Sequence, residues 1–396
     1  MRKPIVALIF SAFTVLLAPP GPARAEVTTL DAGESPTQLM DRVRAQAVNG
    51  QLSGAISQLE DFVRAHPEVA ATQRLLGDLY FRKPDLVAAE RAYKAVVQRY
   101  PNDQETWNRL GGLYAAEDRV DEAIAAFNKS VTEPSVYYNL VALHRRRGDL
   151  DQFEQQVATD AQHNPTDLKK ALIYGNVLLA VHKYETAIAE FKQALTLAGP
   201  ADRCPALNDL ALAYLDVRRT SEAIPLLERC LAVKPTDYSA LVNLAEANIE
   251  LGKYDAARPY LDRALKSEID RPEAYVDIGF LEDVAHQWKS AVANYQKAIA
   301  VDPLWRDAYI NLGYDYNEQK LYALAEAAFI KGLSVAPNDG RLSLMLGKTY
   351  SEQGKVALAK QQYERVVKYS DEKSVVNAAR LYLSQIEGTA APAPGQ

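Results

Sequence analysis

The sequence predicts an all-α fold, an α-solenoid of antiparallel helix pairs, from two series of small residues. An alanine recurs, mostly every 34 residues, at Ala55, Ala89, Ala123, Ala187, Ala223, Ala257, Ala291, Ala325 and Ala359. Twelve residues before most of these alanines stands a second small residue, at Gly77, Gly111, Gly175, Ala211, Ala245, Gly279, Gly313 and Gly347. Such a period indicates a repeated helical unit that buries its apolar face only by stacking on its neighbours.

The first 25 residues have a different character. Arg2 and Lys3 precede an apolar run over residues 5–17, and Ala23-Arg24-Ala25 has the small-x-small form of a cleavage site. This order is typical of a secretory signal peptide. The alternative is a membrane anchor, but the run rises only about 20 Å as a helix, short of the roughly 30 Å core of a bilayer. We expect cleavage after Ala25, a linker over residues 26–35, and an exported, soluble protein that is periplasmic or secreted.

Each repeat predicts two amphipathic helices followed by a stop. Gly313 and Ala325 are expected to face each other across one helix pair, where a larger side chain would overpack. Pro337 closes that unit, because proline cannot continue a helix. The turn between the two helices is expected near Gly252 and Gly354 in their units.

Two units show the complete set of recurring residues. One contains Trp107, Leu110, Gly111, Tyr114, Ala123 and Phe127, and another contains Tyr309, Leu312, Gly313, Tyr316, Ala325, Phe329 and Pro337. The pattern resembles the tetratricopeptide repeat (TPR) and covers nearly all of residues 36–373, in about ten units. The resemblance implies a right-handed superhelix whose first helices line a concave groove. It also implies a function in binding, since this family serves many unrelated partners.

Three segments depart from the pattern. Residues 36–69 lack a recognisable first-helix signature, and residues 134–167 place Val141 and Phe153 in the small positions, so both units are degenerate. Residues 374–387 carry Val376, Ala379, Leu383 and Ile386 on one face, which predicts a capping helix. The final residues, 388–396, are predicted to be a disordered tail.

Charge and motifs argue against two classes of function. The net charge is −6, and removal of residues 1–25, which carry three basic residues and no acid, takes it to −9. A nucleic-acid partner is therefore not expected, because phosphate binding uses a basic excess. The five histidines are scattered, and no catalytic, phosphate-binding or metal-binding motif is present. We expect no enzymatic activity, no cofactor and no metal.

The two cysteines, Cys204 and Cys230, fall in one unit, near the start of its first helix and the end of its second. These ends lie side by side in an antiparallel pair, so a disulfide is geometrically possible, and export would supply an oxidising compartment. The alternative is that Cys230 fills a small core position, which alanine occupies at Ala264 and Ala298.

The candidate binding residues lie beside the packing positions of the first helices, on the side that the resemblance assigns to the groove. The basic half contains Arg74, Arg82, Tyr138, Arg145 and Lys169, with Asp78, Asn108, Arg146 and Asn176 at matching positions. The acidic half contains Asn208, Glu246, Glu250, Glu273, Phe280, Asp283, Tyr314, Asn317 and Glu318, with Asp216 at a matching position. The alternative for each residue is an ordinary solvated helix face.

These residues predict a groove that changes from basic to acidic along the chain. Opposite charge fields orient a partner, and Phe280 and Tyr314 could anchor it. The resemblance also implies a test for one subtype, in which lysine, asparagine and arginine side chains of first helices grip the C-terminal carboxylate of a partner. Asn139 and Lys169 match two of these positions, but Gly112 and Ile173 stand where the other polar groups should be, so we do not expect this carboxylate site.

The sequence thus favours a protein-interaction scaffold or assembly factor of the cell envelope. It would bind a protein or extended peptide, with a basic segment facing the acidic half. The alternatives are a binder of envelope polysaccharide or peptidoglycan, and an enzyme built on a repeat scaffold.

Overall fold

The computed structural model describes residues 34–130, 134–200, 202–336, 338–370 and 372–389. The predicted signal peptide, nearly all of the linker, Pro337 and residues 390–396 of the predicted tail lie outside these ranges. The described residues form helices and no strand, as the sequence predicts. The helices are α1 (Pro36–Val48), α2 (Leu52–Ala65), α3 (Ala70–Arg82), α4 (Leu86–Arg99), α5 (Gln104–Ala116), α6 (Val120–Phe127), α7 (Pro134–Arg147), α8 (Leu150–His163), α9 (Leu168–Ala180), α10 (Tyr184–Leu197), α11 (Arg203–Asp216), α12 (Thr220–Val233), α13 (Tyr238–Glu250), α14 (Tyr254–Ser267), α15 (Pro272–Val284), α16 (Trp288–Val301), α17 (Arg306–Glu318), α18 (Tyr322–Val335), α19 (Gly340–Glu352), α20 (Val356–Tyr369) and α21 (Lys373–Thr389).

Local sequence sets the helix ends. Four first helices, α5, α9, α13 and α19, begin after an aspartate that caps them, as where Asp237 Oδ1 accepts from the Ala240 N–H at 3.0 Å. Several second helices end two residues before a proline, as α4 does before Pro101. The turns inside two helix pairs are at Gly252 and Gly354, as expected, with left-handed φ values of 72° and 73°.

In these helix pairs, the side chain that lies closest to the packing glycine is an aromatic ring of the second helix. A Cβ added to Gly313 would lie 2.5 Å from Phe329 Cε1, and one added to Gly175 would lie 2.5 Å from Phe191 Cε1. The expectation that a larger side chain at Gly313 would overpack is therefore confirmed, and the atoms nearest to such a side chain belong to Phe329. The glycine is required because the bulky residue of the same unit folds back over it.

The chain divides into two compact units, one up to Ala274 and one from Tyr275 onwards. In the first unit a buried cluster includes Leu39, Leu59 and Leu75. In the second unit a cluster includes Phe329 and Tyr363, both fully buried. Each core is thus continuous from one helix pair to the next.

The predicted degenerate unit at residues 134–167 does form a helix pair, α7 and α8. Its second helix, α8, contains no buried residue, and the half-buried Phe153 stacks on His144 with ring centroids 4.1 Å apart. The preceding second helix, α6, has only 8 residues. The exposure of α8 follows from the missing small residues, since Phe153 stands where alanine lets the helices approach. The unit of α6 keeps Gly111 and Ala123, and nothing in the structure explains why α6 is short.

The C-terminal helix α21 has the predicted face. Ala379 is buried, and Val376, Leu383 and Ile386 pack against the cluster around Tyr363. The helix ends at Thr389, two residues beyond the predicted bound. Across the described ranges, no helix combines the length and the apolar character that crossing a bilayer would require.

Candidate functional site

The first helices of the unit that ends at Ala274 pack against one another in two groups, which are joined where α6 packs on α7. Contacts join α1 to α3, α3 to α5, α7 to α9, α9 to α11, and α11 to α13. We call the side chains on the facing sides of α3 and α5, together with those on the facing sides of α7, α9, α11 and α13, the polar wall. It corresponds to the side of the first helices that the sequence assigned to the groove.

At the start of the polar wall, Arg74 is held by acids of the next repeat. Its Nη1 donates to both carboxylate oxygens of Asp103 at 2.7 Å, and its Nη2 lies 2.9 Å from Glu105. Asp103 also caps α5 by accepting from the Thr106 N–H. Burial raises the pKa of Asp103, but the hydrogen bonds from Thr106 and the charge of Arg74 outweigh burial and hold this pKa below its usual value. The predicted binding residue Arg74 thus joins two repeats.

A second ion pair crosses between α3 and α5. Arg109 Nε donates to Asp78 Oδ1 at 2.7 Å, and the Tyr93 hydroxyl donates to the same oxygen. Asp78 therefore has both the Arg109 guanidinium and the Tyr93 hydroxyl as partners.

Arg82 reaches a distant part of the same unit. Its Nη2 donates to the Asp270 backbone carbonyl at 3.3 Å, and Arg44 Nε donates to the Asp270 carboxylate at 3.0 Å. The Arg82 side chain is only 8% exposed. The basic start of the wall is thus largely neutralised by acids of the chain itself.

The middle of the wall is polar and poor in positive charge. Tyr138 on α7 and Asn176 on α9 are buried, as is Asp209 on α11. Asn176 Nδ2 donates to Asp209 Oδ2 at 3.1 Å. Burial raises the pKa of Asp209 to about 7 and that of the half-buried Asp216 to about 6.

Two predicted basic residues of this region, Arg145 and Lys169, are exposed at helix ends. His182 is also exposed, and burial of its ring, with the charge of Arg145 second, lowers its pKa. Arg146 pairs with Asp118 in the preceding turn. The side chains of Arg145, Arg146 and Lys169 are therefore accessible to solvent, unlike those of Arg74 and Arg82.

The predicted acids at the end of the wall have partners within the chain. Glu250 accepts from the Thr220 hydroxyl at 2.6 Å and from Arg218 at 3.0 Å. Glu273 accepts from Arg271 at 2.9 Å and from the Tyr238 hydroxyl at 3.2 Å. Glu250 and Glu273 therefore hold helices together.

Two further predicted residues in this region differ in their surroundings. Asn208 on α11 is buried and accepts from Asn243 of the next first helix at 3.0 Å. Glu246 is half-buried on α13.

The second unit repeats this arrangement on α17 and α19. Asn317 Nδ2 donates to Thr349 Oγ1 at 2.7 Å, and the buried Asp283 accepts from the Tyr295 hydroxyl at 2.6 Å. Of the other predicted residues, Phe280 and Tyr314 are half-buried and Glu318 is exposed.

Sequence reasoning missed Arg109, Asp209 and Asn243. Each stands two residues before a small packing position, at Gly111, Ala211 and Ala245. Reading this position in every repeat, in addition to those chosen, would have found them.

Cys204 and Cys230 are joined in a disulfide, with Cα atoms 4.3 Å apart, which ties α11 to α12. The sulfur atoms lie within 4.8 Å of a carboxylate oxygen of Asp237. Among the described residues, this is the one group of three histidine, cysteine, aspartate or glutamate side chains close enough together to hold a metal ion. Its two sulfur atoms are bonded to each other.

Stacked helix pairs joined by a polar wall define a helical-repeat scaffold, and such folds generally mediate protein interactions. Sequence-family models described as tetratricopeptide repeat match residues 40–104, 88–135 and 208–274, and also 307–339 and 340–373. These ranges together span more than half of the chain, which belongs to the tetratricopeptide repeat family.

Solved structures share this fold at low identity. The Cut9–Hcn1 hetero-tetramer of the APC/C is similar over 87% of this chain and 83% of that chain, with 15% identity and a TM-score of 0.52. The human IFIT1 dimer with m7Gppp-AAAA is similar over 84% of this chain and 85% of that chain, with 16% identity and a TM-score of 0.55. At such identities the likeness shows the fold alone.

Proposed function

We propose that this chain binds a protein or an extended peptide along the polar wall and acts as an exported scaffold or assembly factor of the cell envelope. The observation that carries the proposal is the bonding between the first helices of neighbouring repeats. First helices contact one another within the group α1, α3 and α5 and within the group α7, α9, α11 and α13, and side chains bond from repeat to repeat, as in the pairs Asp78–Arg109, Asn176–Asp209 and Asn208–Asn243. A partner can therefore make many contacts along each group.

The wall is set in place before any partner arrives. Its polar side chains are held by hydrogen bonds and ion pairs, so little rotamer freedom remains to be lost on binding. This favours recognition of a segment in extended form, which presents side chains at regular intervals to successive repeats.

The proposed export rests on the composition of residues 1–25 and is supported by the Cys204–Cys230 disulfide. Disulfides persist in oxidising compartments and are rare in the cytosol.

Gly112 gives a direct test of the wall. It lies on α5 at the position that Asp78 and Asn176 occupy in their repeats, and a Cβ there would meet nothing within 4 Å. Gly54, on the second helix α2, has the same open space. Gly112→Trp should therefore obstruct the wall, Gly54→Trp is its matched control, and circular dichroism checks that both variants fold.

The measurement is capture of a partner from envelope extracts by immobilised chain. We expect wild type and Gly54→Trp to retain the same protein and Gly112→Trp to retain at least about tenfold less. Equal capture by the two tryptophan variants would reject the wall as the binding surface. Recovery of polysaccharide or peptidoglycan without protein would replace the scaffold proposal with the glycan-binding alternative.

A further inference from the structure

Asp209 is an acid of the polar wall that lacks a positive partner. Its side chain is buried with 5% of the residue exposed, and its hydrogen bond comes from the neutral amide of Asn176. Among the described residues, no positive side chain acts on Asp209, and burial dominates its raised pKa.

The same geometry elsewhere in the wall includes a cation. Asp78 and Asn176 each stand one residue after the packing glycine of their repeat, while Arg109 and Asp209 each stand two residues before the small position of the next repeat. In the first pair an arginine neutralises the acid at 2.7 Å. In the second pair the acid, Asp209, is on the later of the two helices, and the neutral amide of Asn176 faces it. The pair of Asn176 and Asp209 thus contains a carboxylate and a neutral amide, with no cation between them.

Asn176 supplies a second, independent sign of an absent donor. Its Nδ2 donates both to the Leu172 carbonyl at 3.0 Å and to Asp209 at 3.1 Å, which fixes the orientation of the amide. Its Oδ1 is buried and accepts no hydrogen bond. Asn176 is 2% exposed, so an unmatched acceptor at this depth is unfavourable.

The groups around Asp209 extend the site along the wall. Tyr137 and Tyr138 of α7 are both close enough for its charge to contribute to their raised pKa values, after burial as the main cause. Asp216 lies two turns further along the same side of α11, is half-buried, and also acts on Tyr138. The site therefore has acids at two depths and aromatic rings beside them.

We infer that Asp209 and Asn176 form a binding site for a lysine or arginine side chain of a peptide that lies along the polar wall. The ammonium or guanidinium group has the two or more N–H donors that the Asp209 carboxylate and Asn176 Oδ1 need. Asp216 would attract this group at the surface of the wall. This inference rests on the proposed function and names the chemistry of the partner at one position.

The test uses the full mature chain and peptides selected on it. Random 12-residue peptides displayed on phage are selected on wild type, and the best binders are synthesised with a fluorescent label. Each arginine is then replaced by citrulline, or each lysine by norleucine, to remove its charge. Fluorescence anisotropy measures their affinity for wild type, Asp209→Asn and the matched control Asp255→Asn, which removes an exposed acid of the second helix α14.

The inference predicts a charge-specific loss. Asp209→Asn should weaken binding of the selected peptides at least about tenfold. Neutralising one basic residue of the peptide should weaken its binding to wild type equally. The same neutralisation should change binding to Asp209→Asn less than about threefold. Asp209→Asn retains an acceptor for Asn176, and its circular dichroism checks that it folds.

Two other results separate the possible failures. Equal binding of the selected peptides by wild type and Asp209→Asn would overturn this site while leaving peptide binding by the wall intact. Failure to select any peptide that Gly112→Trp loses would overturn both the site and the proposed function.

Discussion

At the scale of single residues, Gly313 shows why the small positions recur. Phe329 Cε1 lies 2.5 Å from where a Cβ of Gly313 would be, so the aromatic ring takes the space that a side chain would need. Gly313→Ala should lower the free energy of unfolding by about 1–3 kcal/mol, because either the ring or the backbone must move. Urea denaturation followed by circular dichroism measures this change.

Gly112→Ala is the control for this prediction, since the space around Gly112 is open. It should raise stability by roughly 0.5–1 kcal/mol, as alanine in a helix loses less backbone entropy on folding. Gly313→Ala as stable as wild type would show that the ring does not define the position.

Asp209 predicts a dependence of stability on pH. Its carboxyl has an ordinary pKa of 3.8 and a pKa of about 7 when buried beside Tyr137, Tyr138 and Asn176, so folding favours the protonated form. This contribution stabilises the folded chain below about pH 4. It is lost as the pH rises towards 7, by up to about 1.4 kcal/mol per unit. Asp216 acts in the same direction with a pKa of about 6.

Asp209→Asn should therefore remove much of this dependence. Between pH 5 and pH 8, wild type should lose about 2–3 kcal/mol more of its free energy of unfolding than the variant does. Urea denaturation at the two pH values measures this difference, with Asp255→Asn as control. Equal losses in wild type and Asp209→Asn would contradict the assigned burial.

At the scale of helices, the disulfide between Cys204 and Cys230 fastens the pair α11 and α12. It closes a segment with a sequence separation of 26 residues, for which loop closure gives a stabilisation of about 3 kcal/mol. The variant with both cysteines replaced by alanine should have a free energy of unfolding lower by this amount, which urea denaturation measures. Alanine already fills the place of Cys230 in the later repeats, at Ala264 and Ala298.

A thiol assay on denatured, unreduced protein gives an independent result. We expect no reactive thiol. Two thiols per chain would show that the cysteines are unpaired.

The helices and their pairing were predictable because their signals are local and repeat in one phase. Each packing glycine, stop proline and turn glycine acts within its own repeat. The candidate site was predictable only in part. Asn108 and Asn208 were chosen, whereas the neighbouring Arg109 and Asp209 make the ion pair and the hydrogen bond between repeats. A shift of one residue on a helix changes which neighbour a side chain meets, and the repeat pattern alone does not fix it.

At the scale of the whole molecule, one contact had no sequence signal. Arg44 and Arg82 meet Asp270 although about 190 to 230 residues separate them, within the unit that ends at Ala274. Such a contact depends on the accumulated rotation of several repeats, and a small change in each repeat would move it. This explains why Arg82 was predicted to meet a partner and instead meets the chain itself.

The central claim, that the polar wall receives the partner, is tested most directly by photocrosslinking in the native host. A photoreactive phenylalanine analogue is placed at position 112 on the wall and, in a second strain, at position 54 on α2, and crosslinked products are identified by mass spectrometry. At both positions an added Cβ meets no heavy atom within 4 Å. We expect one discrete protein adduct from position 112 and none from position 54. No adduct from position 112, or the same adduct from both positions, would contradict this claim.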